Sequence, residues 1–296
     1  MNQTVQHETL DMKAVVILTV LCLFWGFNAV VMKVGNMGID PIFGAAIRSL
    51  IGALGLAVWM KIKRVPLFPG NLMDGVMVGI LFGVEFAFLF TSLVYTTVAS
   101  AWILLYTTPF FHALGAHYFL AGDRINLNKG IGLLLAFCGI VLLLSKHAGL
   151  PSFLQLAGDL FALAAALFWA ITTIYIKKRL VGAVSHHNTL FYQILFSTPI
   201  LFGLSFLFKE SPIHHVDALI VASFLFQGII IAFISYLIWF YLVHAYPVSR
   251  LSSFTFLTPV FATLSGMVCF QDPLTLKLVL SLILVSMGIY VVNRKS

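Results

Sequence analysis

The sequence is poor in charge: Asp, Glu, Lys and Arg together make up only 9% of its 296 residues. Soluble domains average about a quarter charged residues, and a soluble fold of this length could not hide the 61% of residues that are apolar. Mean hydropathy is +1.04. The composition therefore excludes a soluble protein and predicts one for which the lipid bilayer is the main solvent.

Cysteine is also scarce, and patterns that bind metals or nucleotides are absent. The three cysteines lie inside apolar runs without CxxC spacing, which is typical of small buried side chains rather than of disulfides or metal ligands. Neither an HExxH pattern nor a Walker A pattern occurs. The sequence thus predicts no metal site, no cofactor and no ATP-driven step.

What the chain does contain is a series of ten apolar runs, most of them near the roughly 20 residues that a helix needs to cross a bilayer. Because the runs are continuous and long, membrane-spanning β-strands are excluded. The runs predict an all-α integral membrane protein with ten transmembrane helices. They cover residues 14–34, 41–60, 72–92, 97–119, 128–145, 157–176, 189–208, 217–243, 251–270 and 275–292.

The distribution of basic residues indicates how these helices are oriented in the membrane. Net charge is +7, but the Lys and Arg residues lie in short connections, as in residues 61–64 and 177–179, and not in one patch that nucleic acid could bind. Their bias toward one side predicts that both termini are cytoplasmic. Short connections and the lack of a targeting extension predict a bacterial inner membrane. The outer ends retain Lys33, Lys146, Lys209 and Lys277.

The two halves of the sequence also resemble each other. Leu-Phe-Trp ending at Trp25 recurs at Trp169, and Thr-Pro ending at Pro109 recurs at Pro259, with similar offsets. Each half holds five runs, and an odd number forces the halves into opposite orientations. Inverted repeats of this kind are common in secondary transporters, which bind substrate at the repeat interface. The predicted repeats are residues 1–146 and 155–296.

Two charged residues lie well inside apolar runs, where charge is costly and is therefore a sign of function. By helix rise, Arg48 and Glu85 both lie about 10 Å from the predicted outer surface. Each could be the counter-ion of the other. Two interpretations stay open: a buried pair that only fixes helix packing, or groups that bind a zwitterion or carry a proton.

Further polar and aromatic residues are expected near these two. Asn28, Trp102 and Tyr106 reach a similar depth, whereas the second half offers a second, uncharged polar layer nearer the inner face. The repeated tryptophans could be cavity walls or interfacial anchors. No catalytic residue is predicted, and Glu85 is the candidate coupling residue. The predicted substrate-binding residues are Trp25, Asn28, Arg48, Glu85, Trp102, Tyr106, Trp169, Gln193 and Tyr236.

Several ordered motifs resemble the EamA-type branch of the drug/metabolite transporter superfamily. They include Phe24-Trp25-Gly26, the stretch from Leu105 to Pro109, and Gly122-Asp123-Arg124, where the family usually has Gly-Glu-Arg; the second half carries similar segments. The resemblance covers nearly the whole chain. It implies two inverted five-helix repeats, a central cavity, alternating access, and transport of amino acids, related metabolites or toxic analogues, often outward.

Together these observations predict a secondary transporter that exports amino acids or related small metabolites, with protons as the candidate coupling ion. Its predicted partners are a small-molecule substrate and the bilayer; no sequence pattern sets an oligomeric state. One alternative is a flippase for lipids or lipid-linked carriers on the same fold. A membrane-embedded enzyme is a weaker alternative, because the sequence lacks a recognisable nucleophile–base set or metal spacing.

Overall fold

The computed structural model describes residues 10–96, 98–144, 152–208, 212–270 and 276–294. Regular structure in these residues is helical, apart from two isolated β-bridges. The α-helices are α1 (Met12–Gly35), α2 (Pro41–Ile62), α3 (Leu72–Tyr95), α4 (Val98–Leu105), α5 (Thr108–Phe119), α6 (Leu127–Leu144), α7 (Phe153–Arg179), α8 (His186–Leu207), α9 (Ala218–Leu225), α10 (Tyr236–Ala245), α11 (Val248–Ser253), α12 (Leu257–Phe270) and α13 (Leu276–Asn293).

These helices join into ten segments within the described residues. α9 and α10 are continuous through a π-helix, Phe226–Ser235, and α11 and α12 through a 3-10 turn, Phe254–Phe256. Eight segments are long and apolar enough to cross a membrane, and Leu127–Leu143 is a shorter apolar helix. The fourth predicted run, 97–119, is divided into α4 and α5, which we count as one segment. Pro109, which cannot donate a backbone hydrogen bond, lies at the start of α5.

The first and last described residues lie on one side of the bundle. The segments alternate in direction, and Arg250 at the start of α11 donates to the carbonyl of Asn293 at 3.4 Å. We call this side, which holds Met12 and Asn293, the termini end, and the opposite side the far end. At the far end His214 Nε2 contacts Asp40 Oδ1 at 2.9 Å. Of the lysines counted in the charge bias, Lys146 and Lys209 lie outside the described residues.

Helix packing follows the same rule in both halves. Helix α6 packs on α13, and α2 packs on α8. Helix α3 packs on α7, and in the same way α9 and the π-helix pack on α1. Helix α5 also packs on α7, and its equivalent α12 packs on α1. Exchanging the first five segments for the last five leaves this set of neighbours unchanged. The packing therefore agrees with the two-repeat prediction at the level of which segments touch.

Glycines allow the closest of these contacts. A Cβ added to Gly132 of α6 would lie 2.6 Å from the carbonyl oxygen of Gly288, and one added to Gly288 of α13 would lie 2.5 Å from that of Gly132. On α3, a stripe of small residues packs closely against α8. Its glycines and their neighbours are Gly75 with Tyr192, Gly79 with Phe196, and Gly83 with Ile200.

Candidate binding cavity

A central cavity of about 530 Å³ lies between the two halves. This volume falls within the roughly 300–1,000 Å³ of typical small-molecule sites. All the residues predicted to bind substrate line it. They are Trp25, Asn28, Arg48, Glu85, Trp102, Tyr106, Trp169, Gln193 and Tyr236.

The cavity connects the two polar layers that the sequence predicts. α2 and α8 have 22 residues each, so each is about 33 Å long. Arg48 is seven residues from the far end of α2 and Gln193 is seven from the termini end of α8. A single ligand can reach both layers, because both side chains line the same space.

The cavity is closed toward the termini end and widens toward the far end. Residues 188–194 of α8 and 251–260 of the α11–α12 segment are buried without exception. Farther along the same segment, residues 261–269 are all partly or fully exposed, and Ala262, Thr263 and Gly266 line the cavity there. Access is thus from the far end.

A buried polar network closes the termini end. Lys129 Nζ donates to Asp123 Oδ1 at 2.6 Å, and both side chains are nearly inaccessible. The backbone N–H of Ser249 donates to Asp123 Oδ2 at 3.0 Å, and the Ser249 hydroxyl donates to Asp123 Oδ1. Asp123, which lies between α5 and α6 in the first half, thus accepts a hydrogen bond from a free N–H group at the start of α11 in the second half.

Arg48 lies against the cavity without a counter-ion in contact. Only 6% of Arg48 is exposed, and its Nε atom has no hydrogen-bond partner. Its guanidinium carbon lies 5.3 Å from the centre of the Phe86 ring, a cation–π geometry. None of the ion pairs among the described residues joins Arg48 to Glu85. The sequence left open whether the two side chains pair, and in this structure they form no salt bridge.

Glu85 is the opposite charge on the same wall. It is 6% exposed, and its Oε2 atom has no hydrogen-bond partner. Asn28, also buried, has an unpartnered Oδ1 atom. Buried polar groups are normally hydrogen-bonded, and an unpaired buried charge is costly. A ligand carrying both a carboxylate and an ammonium group would supply partners for Arg48 and Glu85 at once.

Aromatic rings form much of the remaining wall. The Trp25 indole N–H donates to Ser235 Oγ at 3.0 Å, and its ring meets Trp239 and Tyr236 edge-on at centroid distances of 5.5 and 6.2 Å. The rings of Trp102 and Tyr106 stack with their centroids 6.1 Å apart. The sequence left open whether the repeated tryptophans are anchors or walls; both Trp25 and Trp169 line the cavity.

The second half contributes only uncharged polar groups. Gln193 is 5% exposed and lines the cavity. Thr172 and Thr173 also line it, but their hydroxyls donate to carbonyls of their own helix at 2.7 and 3.1 Å. Gln193, Tyr236 and Thr258, whose buried hydroxyl has no hydrogen-bond partner, therefore remain the groups best able to donate to a ligand from this side.

Sequence reasoning omitted several lining residues. Phe86 and Thr258 line the cavity, and Ser235 supports Trp25 from behind. Thr258 could have been found, because Thr-Pro is one of the repeated motifs. Phe86 and Ser235 give no signal in the sequence, since their roles depend on contacts between distant segments.

Comparison with known proteins gives a consistent result. The sequence model of the EamA-like transporter family matches twice, over residues 12–145 and 156–294. One solved structure, described only as the crystal structure of a protein, has a TM-score of 0.83 and covers 95% of this chain and 97% of its own. At 21% identity this likeness shows the fold alone.

Relatives of similar length are named as transporters. An uncharacterized transporter of Bacillus subtilis is 25% identical over 90% of this chain and 92% of its own. An uncharacterized transporter of Archaeoglobus fulgidus is 30% identical over 96% of this chain and 100% of its own. A Salmonella typhimurium protein named "Probable amino-acid metabolite efflux pump" is 30% identical over 90% of each chain.

Proposed function

Because this chain belongs to the EamA-like transporter family of multi-pass membrane proteins, we propose that it is a secondary transporter that exports amino acids or closely related small metabolites. The observation that carries the proposal is the pair of unpartnered, opposite charges, Arg48 and Glu85, on one wall of a single cavity. An efflux-pump name on a relative that is 30% identical supports the outward direction.

The proposed topology has ten transmembrane segments in two inverted repeats, residues 1–146 and 155–296, with both termini in the cytoplasm. Two matches of one family model, one in each half, support the repeats. The main pairs of packed segments, which are related by exchange of the two halves, support them as well. The basic clusters at 61–64 and 177–179 support the orientation. In this topology the cavity faces the outside.

Binding follows from the charges on the first-half wall. The planar guanidinium of Arg48 suits a carboxylate, to which it can donate two parallel hydrogen bonds. Glu85 accepts from the ammonium group of the same substrate. The aromatic rings around Trp25 and Trp102 cover the apolar part of the substrate. Burial of Arg48 and Glu85 in the empty cavity costs desolvation free energy, and each opposite charge on the substrate offsets part of this cost.

Alternating access requires the termini end to open while the far end closes. The Asp123–Lys129–Ser249 network would have to separate at that step, because it joins the two halves on the closed side. Glu85 would bind an external proton when substrate leaves and release it to the cytoplasm before the next substrate binds. Substrate efflux and proton entry are then coupled through one carboxylate.

Transport without chemical change fits the composition of the cavity. Its lining contains Trp, Phe, Thr, Arg, Glu and other residues but, among those described, no Ser, Cys or His that could act as a nucleophile–base set. The proposal therefore assigns no reaction to the cavity.

The first test is a thermal-shift screen of the purified protein against amino acids, with Glu85→Gln measured in parallel. A ligand at 100 times its Kd stabilises a folded protein by about 2.7 kcal/mol. We expect zwitterionic amino acids to raise Tm, and their decarboxylated or N-acetylated analogues, which each lack one charge, to have little effect. In proteoliposomes, a pH gradient should accelerate flux in the wild type and not in Glu85→Gln.

Two outcomes would contradict the proposal. Stabilisation only by long-chain lipids would point to a flippase on this fold. Equal stabilisation by amino acids and by analogues that lack one charge would remove Arg48 and Glu85 from the substrate site. Asp159→Asn, which alters a carboxylate at the far end that accepts from Thr96 at 2.6 Å and does not line the cavity, is the matched control.

A further inference from the structure

We propose that Gln193 is a specificity-determining residue, which restricts the transported amino acid to one whose side chain carries no net charge. The inference rests on the proposed function, because it assumes that Arg48 and Glu85 hold the zwitterionic head group. It assigns the distal part of the substrate to the second-half wall of the cavity.

The first step is the position of Gln193. α8 packs directly on α2, with Arg48 seven residues from the far end of α2 and Gln193 seven residues from the termini end of α8. Both side chains extend into the same cavity, which shortens the gap that a ligand must cross. A head group at Arg48 and Glu85 therefore directs the substrate side chain toward the level of Gln193.

The second step is the absence of charge around Gln193. Every described residue that the second half contributes to the lining is uncharged. The charged side chain of Lys177, one turn beyond Thr173 on α7, is occupied by the carbonyl oxygens of Val243 and Tyr246 at 2.6 and 3.0 Å. A charged substrate side chain placed here meets no opposite charge, and a cationic one also meets the field of the Lys177 ammonium.

The third step is the size of the resulting selectivity. Burying a charge without its partner is strongly unfavourable, and proteins reject unwanted ligands in this way. We expect discrimination of at least about 100-fold against a charged side chain of the same shape. An uncharged side chain that ends in a hydroxyl, amide or indole N–H can instead bond to the Gln193 amide, which offers both a donor and an acceptor.

Pairs of amino acids with matched shape isolate the effect of charge. Norleucine and lysine differ by a terminal ammonium, and glutamine and glutamate differ by one ionised oxygen. In competition against flux of a neutral amino acid into proteoliposomes, norleucine and glutamine should inhibit the wild type, whereas lysine and glutamate should not. Equal inhibition by lysine and norleucine would overturn the inference without any variant.

The decisive variant is Gln193→Glu, which places an anion on the second-half wall. We expect it to transport lysine with a kcat/KM at least about 10-fold above that of the wild type, because the new carboxylate supplies the missing counter-charge. A merely structural role for Gln193 would not produce this gain of function. Gln155→Glu is the control, because it makes the same exchange in the second half at a position that does not line the central cavity, and its carboxylate can still accept from the Ser152 N–H.

The outcomes separate this inference from the proposed function. A wild type that moves no amino acid would overturn both. A wild type that moves norleucine, together with a Gln193→Glu protein that moves norleucine but still rejects lysine, would overturn the inference alone. A lysine gain in Gln155→Glu equal to that in Gln193→Glu would also overturn it, because the gain would then be independent of the cavity wall.

Discussion

The first half of the chain brings Arg48 and Glu85 to the cavity, whereas the second half brings Gln193 and Tyr236 from the segments that occupy the matching places. The main pairs of packed segments are nevertheless related by exchange of the two halves. A Cβ added to Gly132 or to Gly288 would even lie at nearly the same distance, 2.6 or 2.5 Å, from the carbonyl oxygen of the other glycine. The two halves are thus alike where backbones touch and unlike where side chains face the cavity.

This contrast separates two physical demands. Close helix packing in a bilayer depends on small residues and backbone shape, so a repeated architecture keeps it in both halves. Binding depends on where charge lies, and each buried charge is costly. One pair of charges is enough for one zwitterion, and a second pair in the other half would remain unpartnered. The asymmetry of the cavity is therefore what a single-substrate site requires.

The strongest test of the contrast replaces one equivalent residue in each half. Arg48→Met should lower kcat/KM for a neutral amino acid by about 10- to 100-fold, because a hydrogen bond to a charged group contributes about 1.5–3 kcal/mol. Gln193→Met removes only neutral hydrogen bonds, so we expect a loss of about 2- to 10-fold. Initial rates in proteoliposomes measure both. Equal losses of kcat/KM would mean that the first-half and second-half walls contribute equally to binding, which would contradict the proposed division.

Much of this arrangement is encoded in local sequence. Ten apolar runs predict the helical segments within a few residues, because crossing a bilayer sets both length and composition. Arg48 and Glu85 can be recognised without a structure, since a charge in an apolar run is rarely accidental. The rise per residue of a helix places Gln193 and Tyr236 in a second polar layer, and residues of both layers line one cavity.

Other features depend on contacts that no local pattern encodes. The sequence leaves open whether Arg48 and Glu85 pair, because depth along a helix does not fix the distance between two side chains. The π-helix Phe226–Ser235 is unexpected, because its residues would fit an ordinary apolar helix equally well. The sequence places Asp123 in a loop, but in the structure its carboxylate accepts a hydrogen bond from Ser249 and so joins the two halves.

A second test examines the part of the molecule in which the halves are alike. Gly132→Ala and Gly288→Ala should each destabilise the protein by about 1–3 kcal/mol, because either Cβ would overlap a facing carbonyl and force two helices apart. The two Tm losses should be similar. Gly130→Ala on the same helix α6 is the control, since nothing lies within 4 Å of its added Cβ. A large loss for only one member of the pair would show that this contact is asymmetric too.

The finest test concerns a bond that crosses between the halves inside the cavity wall. Ser235 Oγ donates to the carbonyl of Ile231 at 2.6 Å, which fixes its hydrogen and leaves a lone pair for the Trp25 indole N–H at 3.0 Å. Ser235→Ala should raise KM for a neutral amino acid by about 2- to 10-fold through loss of this neutral hydrogen bond. Ser223→Ala, which removes a hydroxyl bonded only within its own segment, should leave KM unchanged.

A double-mutant cycle decides whether Ser235 acts through Trp25. Trp25→Phe keeps an aromatic ring but removes the N–H donor, so Ser235→Ala should have little further effect on KM in that background. Additive effects would contradict the coupling and make Ser235 an ordinary packing residue of the π-helix. Because Trp25 belongs to the first half and Ser235 to the second, the coupling energy measures how firmly the two unlike walls are held together around the substrate.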